Sequence, residues 1–274
     1  MKVIVLVVVL ALTACLPPQT RRVSRSAIVP HMTPTLMNGA PMETPGQVIL
    51  TAPSVAHTTL AAVDADVAGE VVGTQLGGVL RARAGDHVAL GLLFEQGLDR
   101  GARALQATEA PIDADGPTGR GVSITGIMDT GDPRWHLGLD LEFEVWTIPW
   151  IEYSTCVENC QGPIQSVTHG TDAVPQLALG MTPTYQDGKL RAWGGASVRN
   201  HPTLRQKGVE YGTDRGGDVE AGAMNVVVSA GAEVELGAGV MAGLTVYQVL
   251  NGSPARYGPS LAATLTLPLG SRRR

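Results

Sequence analysis

"RWHLGLDLEFEVWTIPW", residues Arg134–Trp150, decides the fold. From Trp135 onward every second residue is apolar: Trp135, Leu137, Leu139, Leu141, Phe143 and Val145. Between them stand His136, Asp140, Glu142 and Glu144. Successive side chains of a strand point to opposite faces, so this stretch has one apolar face and one face carrying three carboxylates. In a soluble barrel or sandwich the apolar face turns inward. In a membrane barrel it meets lipid and the polar face lines the lumen.

The same period runs through the chain around this stretch. Val72, Leu76, Leu80 and Ala82 share a face, the chain turns at Ala84-Gly85-Asp86, and Val88, Leu90, Leu92 and Phe94 resume the apolar side. Further turns fall at Asp129–Pro133, Gln186–Gly188 and Leu236–Gly239. Gly-rich and Asp-Gly turns between alternating runs supply the positive φ that tight hairpins need. The other connections, at 97–119, 154–173, 200–218 and 251–257, are mostly long and polar. Short and long connections alternate strictly. In an up-and-down meander this trims one end and elaborates the other, as in outer-membrane barrels. A weaker strand at His57–Val63 completes an even count. The prediction is an all-β chain whose residues 47–269 form an up-and-down antiparallel β-barrel of about ten strands. Both termini fall on its short-turn side, and 270–274 is a basic tail.

The polar face carries both signs. Arg81, Arg83, Lys189, Arg191 and Arg199 stand against Glu95, Asp140, Glu142, Glu144, Glu233 and Glu235, with His136 on the same face, a set suited to pairing across a narrow lumen. Gly and Ala abound among the polar-face positions, as a crowded interior requires. Trp135, near a turn, suits an interfacial aromatic girdle. These features favour the membrane barrel. The alternative is a soluble, lipid-tethered β-barrel or sandwich, periplasmic or at the cell surface, that binds a small apolar ligand inside.

The N-terminus reads as an address. "MKVIVLVVVLALTAC" has Lys2, then an apolar run from Val3 to Leu12 that is too short to span a bilayer, which takes about 20 apolar residues. It reads as a signal-peptide core. Its end, Leu12-Thr13-Ala14-Cys15, resembles the lipobox of bacterial lipoproteins. The resemblance covers the first fifteen residues. It implies that 1–14 is a signal peptide and that Cys15 carries diacylglycerol on sulfur and an acyl chain on its amine. Leu16, rather than Asp, after the cysteine favours the outer membrane. The rest of 15–46, rich in Pro, Thr and Ser, reads as a flexible tether.

Chemistry is sparse. Cys156 and Cys160, in a polar stretch of an exported chain, are expected to form a small disulfide. Zinc, with His169 as a third ligand, is the rival, but no fourth Cys or His lies nearby. His136, Asp140 and Glu142 share a strand face, and Ser123 precedes them, so an envelope lipid hydrolase is a third reading. No nucleophile elbow, P-loop or HExxH is present. The net charge of −5 gives no basic field for nucleic acid. The chain is therefore expected to be a lipid-anchored outer-membrane barrel of a Gram-negative envelope, on the periplasmic face or cell surface. It is expected not to be an enzyme and to need no cofactor beyond the covalent lipid. Its partners are expected to be membrane lipid and an envelope partner met through the long loops.

Overall fold

Alternation along Arg134–Trp150 places the carboxylates inside. In the computed structural model, Asp140, Glu142 and Glu144 are buried, while Leu139, Leu141, Phe143 and Val145 are exposed. The structure describes residues 20–33, 39, 47–58, 60–63, 69–98, 116–160, 162–205, 218–250 and 255–269. Among the described residues fourteen strands follow in chain order: β1 Thr20–Val29, β2 Val48–His57, β3 Leu60–Val63, β4 Gly69–Val71, β5 Thr74–Arg83, β6 Val88–Gly97, β7 Thr118–Asp129, β8 Trp135–Glu158, β9 Gln165–Asp187, β10 Leu190–Arg205, β11 Asp218–Gly237, β12 Val240–Val249, β13 Ala255–Tyr257 and β14 Ser260–Leu269.

Ten of these close a barrel in the order β2-β5-β6-β7-β8-β9-β10-β11-β12-β14, with β14 returning to β2. Every neighbouring pair is antiparallel. Closure leaves no sheet edge in the barrel, which a bilayer demands because lipid cannot satisfy backbone N–H and C=O groups. The tight turns behave as the sequence predicts. Gly188 and Lys189 join β9 to β10, with Gly188 at φ 56°. Ala238 and Gly239 join β11 to β12, at φ 53° and 81°.

The outside is apolar all round. Leu92 is 57% exposed, and Ile124, Phe143, Leu179, Leu244, Val246 and Leu261 are exposed with it. The inside is polar, with Arg81, Arg191, Arg199, Asn225 and Glu233 buried. This inverts the polarity of a soluble protein and overturns the alternative of a soluble barrel with an apolar interior. The chain is a membrane-spanning β-barrel of the outer-membrane type. Trp135 packs on Tyr185 at 5.0 Å between ring centroids, at the short-turn end of the apolar belt. The other tryptophans sit differently: Trp146, Trp150 and Trp193 each stand opposite a glycine of the next strand, Gly119, Gly170 and Gly231.

Three expectations are corrected. The first barrel strand is Val48–His57, not His57–Val63. Its alternation is broken by a register shift between Thr51 and Ser54, where Pro53 lacks the N–H that a ladder needs. Residues 154–173 are largely strand rather than a long polar connection, because β8 and β9 stay paired from Trp135–Tyr185 to Thr155–Gln165. Beyond the last β7 pair, at Thr147, the free edge of β8 is taken up by β1.

The third correction is β1 itself, which stands where a flexible tether is expected. Ala27-Ile28-Val29 is a short apolar run with nowhere to be buried in a tether. In the fold, Ile28 packs with Val72, Ile151 and Tyr153. The barrel itself begins at Val48 and ends at Leu269, paired with each other at the short-turn end as expected, whereas Thr20 pairs with Glu158 at the long-connection end. Cys15, the signal peptide 1–14 and the tail 270–274 lie outside the described residues.

Candidate functional site

The lumen is the site, and its occupant is the chain's own N-terminal segment. Past β1, Pro30, His31, Met32 and Thr33 are all buried, His31 and Met32 almost completely. Gly39 is buried beside Thr184 and Trp193, next to the β9–β10 turn. Val48 then begins β2, opposite Ala82 near the β5–β6 turn. The described positions thus descend from the long-connection end to the short-turn end inside the wall.

Near the mouth the segment seats in an apolar collar. Ala27, Val29 and Met32 pack with Ala56, Trp146, Ile148, Val174, Val227, Tyr247, Val249 and Ala262, side chains drawn from six barrel strands. Glycine makes room for the largest of them: a Cβ at Gly119 would lie 2.7 Å from the Trp146 ring, so only glycine lets that ring lie over the neighbouring strand. Trp146 Nε1 donates to Gln176 Oε1 at 2.9 Å, and Gln176 Nε2 to the Asn200 carbonyl at 2.7 Å.

Within and below the collar the segment also makes polar contacts. Arg199 Nη1 donates to the Thr33 carbonyl at 2.8 Å and to Thr33 Oγ1 at 3.1 Å, and its Nη2 pairs with Glu142. Thr33 Oγ1 donates to Glu95 Oε1 at 3.3 Å, and Gln75 Nε2 to Glu95 Oε2 at 2.7 Å. His201 Nε2 donates to the Pro30 carbonyl at 2.8 Å. His31 Nδ1 donates to the Val72 carbonyl at 3.1 Å, and its Nε2 accepts from Tyr247 Oη at 3.2 Å. Buried backbone carbonyls need such donors because water is excluded there. Above the collar, Arg25 pairs with Glu152 at 3.1 Å and lies 3.9 Å from the Trp150 ring centroid.

The predicted lumen cluster is divided by the fold. Glu95, Glu142 and Glu144 gather around Arg199. Arg191 and Glu233 pair lower down at 2.7 Å, and Asp140 accepts from Thr125. Arg81 is buried on the same inner face. Arg83 serves a turn instead, donating to the Gly85 and Asp86 carbonyls, and Glu235 accepts from the Gly239 N–H. His136 lies 3.6 Å from Asp129. Ser123 stands opposite Glu142, and Asp129 opposite His136, so the serine and the histidine are about 20 Å apart along the ladder. They form no catalytic pair. On the short turn below them, the hydrogen bond from Arg134 holds the Asp132 carboxyl below its ordinary range. Cys156 and Cys160 form a disulfide at the tip of the β8–β9 hairpin.

Sequence reasoning missed Arg25, His31, Thr33, Gln176, Asn200 and His201. The signal available was the pairing of Ala27-Ile28-Val29 with a lumen that needed filling.

No protein-family model and no curated protein matches the chain. Solved structures do resemble it. An outer-membrane channel from Pseudomonas putida F1 aligns at 12% identity and TM-score 0.45, covering 87% of this chain and 100% of that one. LpxR from Salmonella typhimurium aligns at 9% identity and TM-score 0.40, covering 80% and 99%. The outer-membrane protease OmpT from Escherichia coli aligns at 11% identity and TM-score 0.36, covering 93% and 98%. The likeness extends to the barrel architecture and no further. It corrects one expectation: with a protease among such barrels, the fold gives no ground for holding that the chain is not an enzyme.

Proposed function

We propose that the chain is a lipid-anchored barrel of the Gram-negative outer membrane that binds an envelope partner at its long-connection end. The observation that carries this reading is the β8–β9 hairpin. Its two strands run 24 and 23 residues, far past the last β7 pair at Thr147. On the outward belt of β8, Trp135 to Val145 span roughly 33 Å of strand, enough for a tilted crossing of the apolar band. Beyond that belt, Val157, Ile164 and Val167 remain exposed at 53%, 65% and 50%. Lipid covers apolar side chains in the belt, whereas these need another cover. β1 stiffens the hairpin on one edge, and the disulfide joins its tip. The filled lumen supports the same reading, since it leaves the elaborated end as the working surface. The lipid at Cys15 rests on the Leu12-Thr13-Ala14-Cys15 box.

Photo-crosslinking side chains placed at Val157, Ile164 and Val167 in living cells test the reading. A discrete protein adduct at these positions, absent from a crosslinker at lipid-facing Leu141, is the expected result. Purified protein in planar bilayers should show no steady conductance. Failure to form adducts, together with a steadily open pore, would overturn it.

A further inference from the structure

We infer that the barrel holds its own N-terminal segment threaded through the lumen. The chain preceding β1 then stands on the same side of the membrane as the disulfide-tipped hairpin, opposite the short turns and the start of β2. The direction of the chain fixes this. Thr20 pairs with Glu158, and Arg21 with Cys156. Arg21 also donates to the Pro163 carbonyl at 3.1 Å and to Ser154 Oγ at 3.2 Å. These partners lie towards the hairpin tip, seven to eleven residues of β8 beyond the last β7–β8 pair at Thr147, or roughly 23–36 Å of strand. From there Arg25, Pro30 and Thr33 are bonded at successively deeper levels. Gly39 lies beside Thr184 near the opposite end, and Val48 starts the barrel there.

Two features make this a fixed crossing rather than a passing one. The segment's apolar side chains complete a collar contributed by six of the ten barrel strands. Its buried carbonyls at Pro30 and Thr33 take donors from His201 and Arg199 of β10. Withdrawing it would strand Arg199, Glu142 and Glu95 in an emptied polar lumen. A collar packed this closely around Ala27, Val29 and Met32 leaves no path for an acylated residue, so the barrel must close around the segment. The seam is β2 against β14, the first and last barrel strands.

The inference rests on the outer-membrane reading above, and it adds a consequence. A lipid on Cys15 belongs to the long-connection side. Thr20 is five positions on, a reach of about 17 Å, against roughly 36 Å of strand between its partner Glu158 and the last β7–β8 pair, so the lipid enters the leaflet on that side only with the hairpin laid back toward the membrane.

The test compares three epitope insertions in the full chain: between Pro18 and Thr20, at Glu158–Asn159 in the hairpin tip, and at Gly237–Gly239 in a short turn. Each is checked for a heat-modifiable gel shift, then probed with antibody on intact and on permeabilised cells. The N-terminal and tip epitopes should label together, and the turn epitope should differ from both. An N-terminal epitope that labels with the turn overturns the inference. Palmitate incorporation, followed separately, reports on the lipid reading: loss of label with the epitopes unchanged removes the lipid and leaves the crossing. A second measurement does not depend on insertions. Thr33→Cys with Glu95→Cys should be joined by a short bis-maleimide in native membranes, because the two side chains meet in the lumen but their backbones are spaced by the length of a glutamate. No intramolecular crosslink when both thiols are shown to react singly with a monofunctional maleimide would also overturn the inference.

Discussion

Arg199 of the barrel wall donates through Nη1 to the carbonyl of Thr33, 166 residues away in sequence, at 2.8 Å. The same guanidinium pairs with Glu142. One side chain thus joins the N-terminal segment to the strand whose alternation defines the fold. Arg199→Ala removes the donor and leaves Glu142 without its charge partner. Removing one member of a buried pair costs about 3–5 kcal/mol, far above the cost of losing a surface ion pair. The expected outcome is a fall of that size in unfolding free energy, measured by urea titration in lipid vesicles. Arg199→Ala/Glu142→Gln should recover part of it, because the uncompensated carboxylate is gone.

Gly119 and Trp146 make a second test. Gly119→Val drives a branched side chain into a ring already in contact with the glycine backbone. Overpacking of a filled interior costs about 1–3 kcal/mol. Here it should also loosen the collar around Ala27 and Met32. Gly119→Val is expected to destabilise the barrel and to increase trypsin cleavage at Arg25. Pairing it with Trp146→Leu should restore protection. If the single variant is as stable as the parent, the ring does not need the glycine.

The β11–β12 turn carries a residue in the wrong conformation for its type. Ala238 sits at φ 53°, in the left-handed region, and is followed by Gly239 at φ 81°. A two-residue hairpin with both central residues at positive φ favours Asn-Gly. An L-residue with a Cβ gives up about 1–2 kcal/mol there, which Asn relieves in part and Gly removes. Ala238→Asn is expected to raise stability by several tenths of a kcal/mol to about 1 kcal/mol. Ala238→Val should lower it. Both are read from the urea midpoint at constant slope.

Much of this was legible because β-alternation is a local signal. Leu139, Asp140, Leu141 and Glu142 announce two opposed faces without any knowledge of their neighbours, and Asp187-Gly188 announces a turn. What alternation cannot reveal is which strand lies across the lumen. Arg199 meets Thr33 only because a segment with no strong period of its own enters the barrel. Its Pro30 and scattered Ser and Arg read as linker. Likewise, Ser166–Ala173 reads as a polar loop, because above the apolar band neither face of the hairpin has to be uniformly greasy. Pro53 hid the first barrel strand by breaking its period at one bulge.

The disulfide at the hairpin tip should matter locally. Cys156 and Cys160 close a loop of only a few residues, and the stabilisation from closing a loop grows with its length. Reduction is expected to leave the heat-modifiable shift of the barrel unchanged and to raise proteolysis between Glu158 and Gln165. Collapse of the shift on reduction would mean that the tip supports the barrel as a whole.

The last prediction concerns the solvent of the apolar face. Leu139 and Leu141 lie midway along the outward belt of β8, between Trp135 and Val145, and are 42% and 41% exposed. Arginine at the membrane midplane of a barrel exterior costs about 2–4 kcal/mol, falling to about 0–1 near the interfaces. Leu141→Arg should therefore destabilise folding into vesicles by the larger amount, and Leu190→Arg, beside the β9–β10 turn, by the smaller. An arginine facing water would produce no such gradient. Cysteines placed singly at Leu139 and Asp140, with Cys156 and Cys160 replaced by Ser, separate the two faces directly. Position 139 should respond to a lipid-soluble relaxation agent, and position 140 should be shielded from it. Equal cost for arginine at both depths, or a response at 140 and none at 139, would reverse the orientation of the wall.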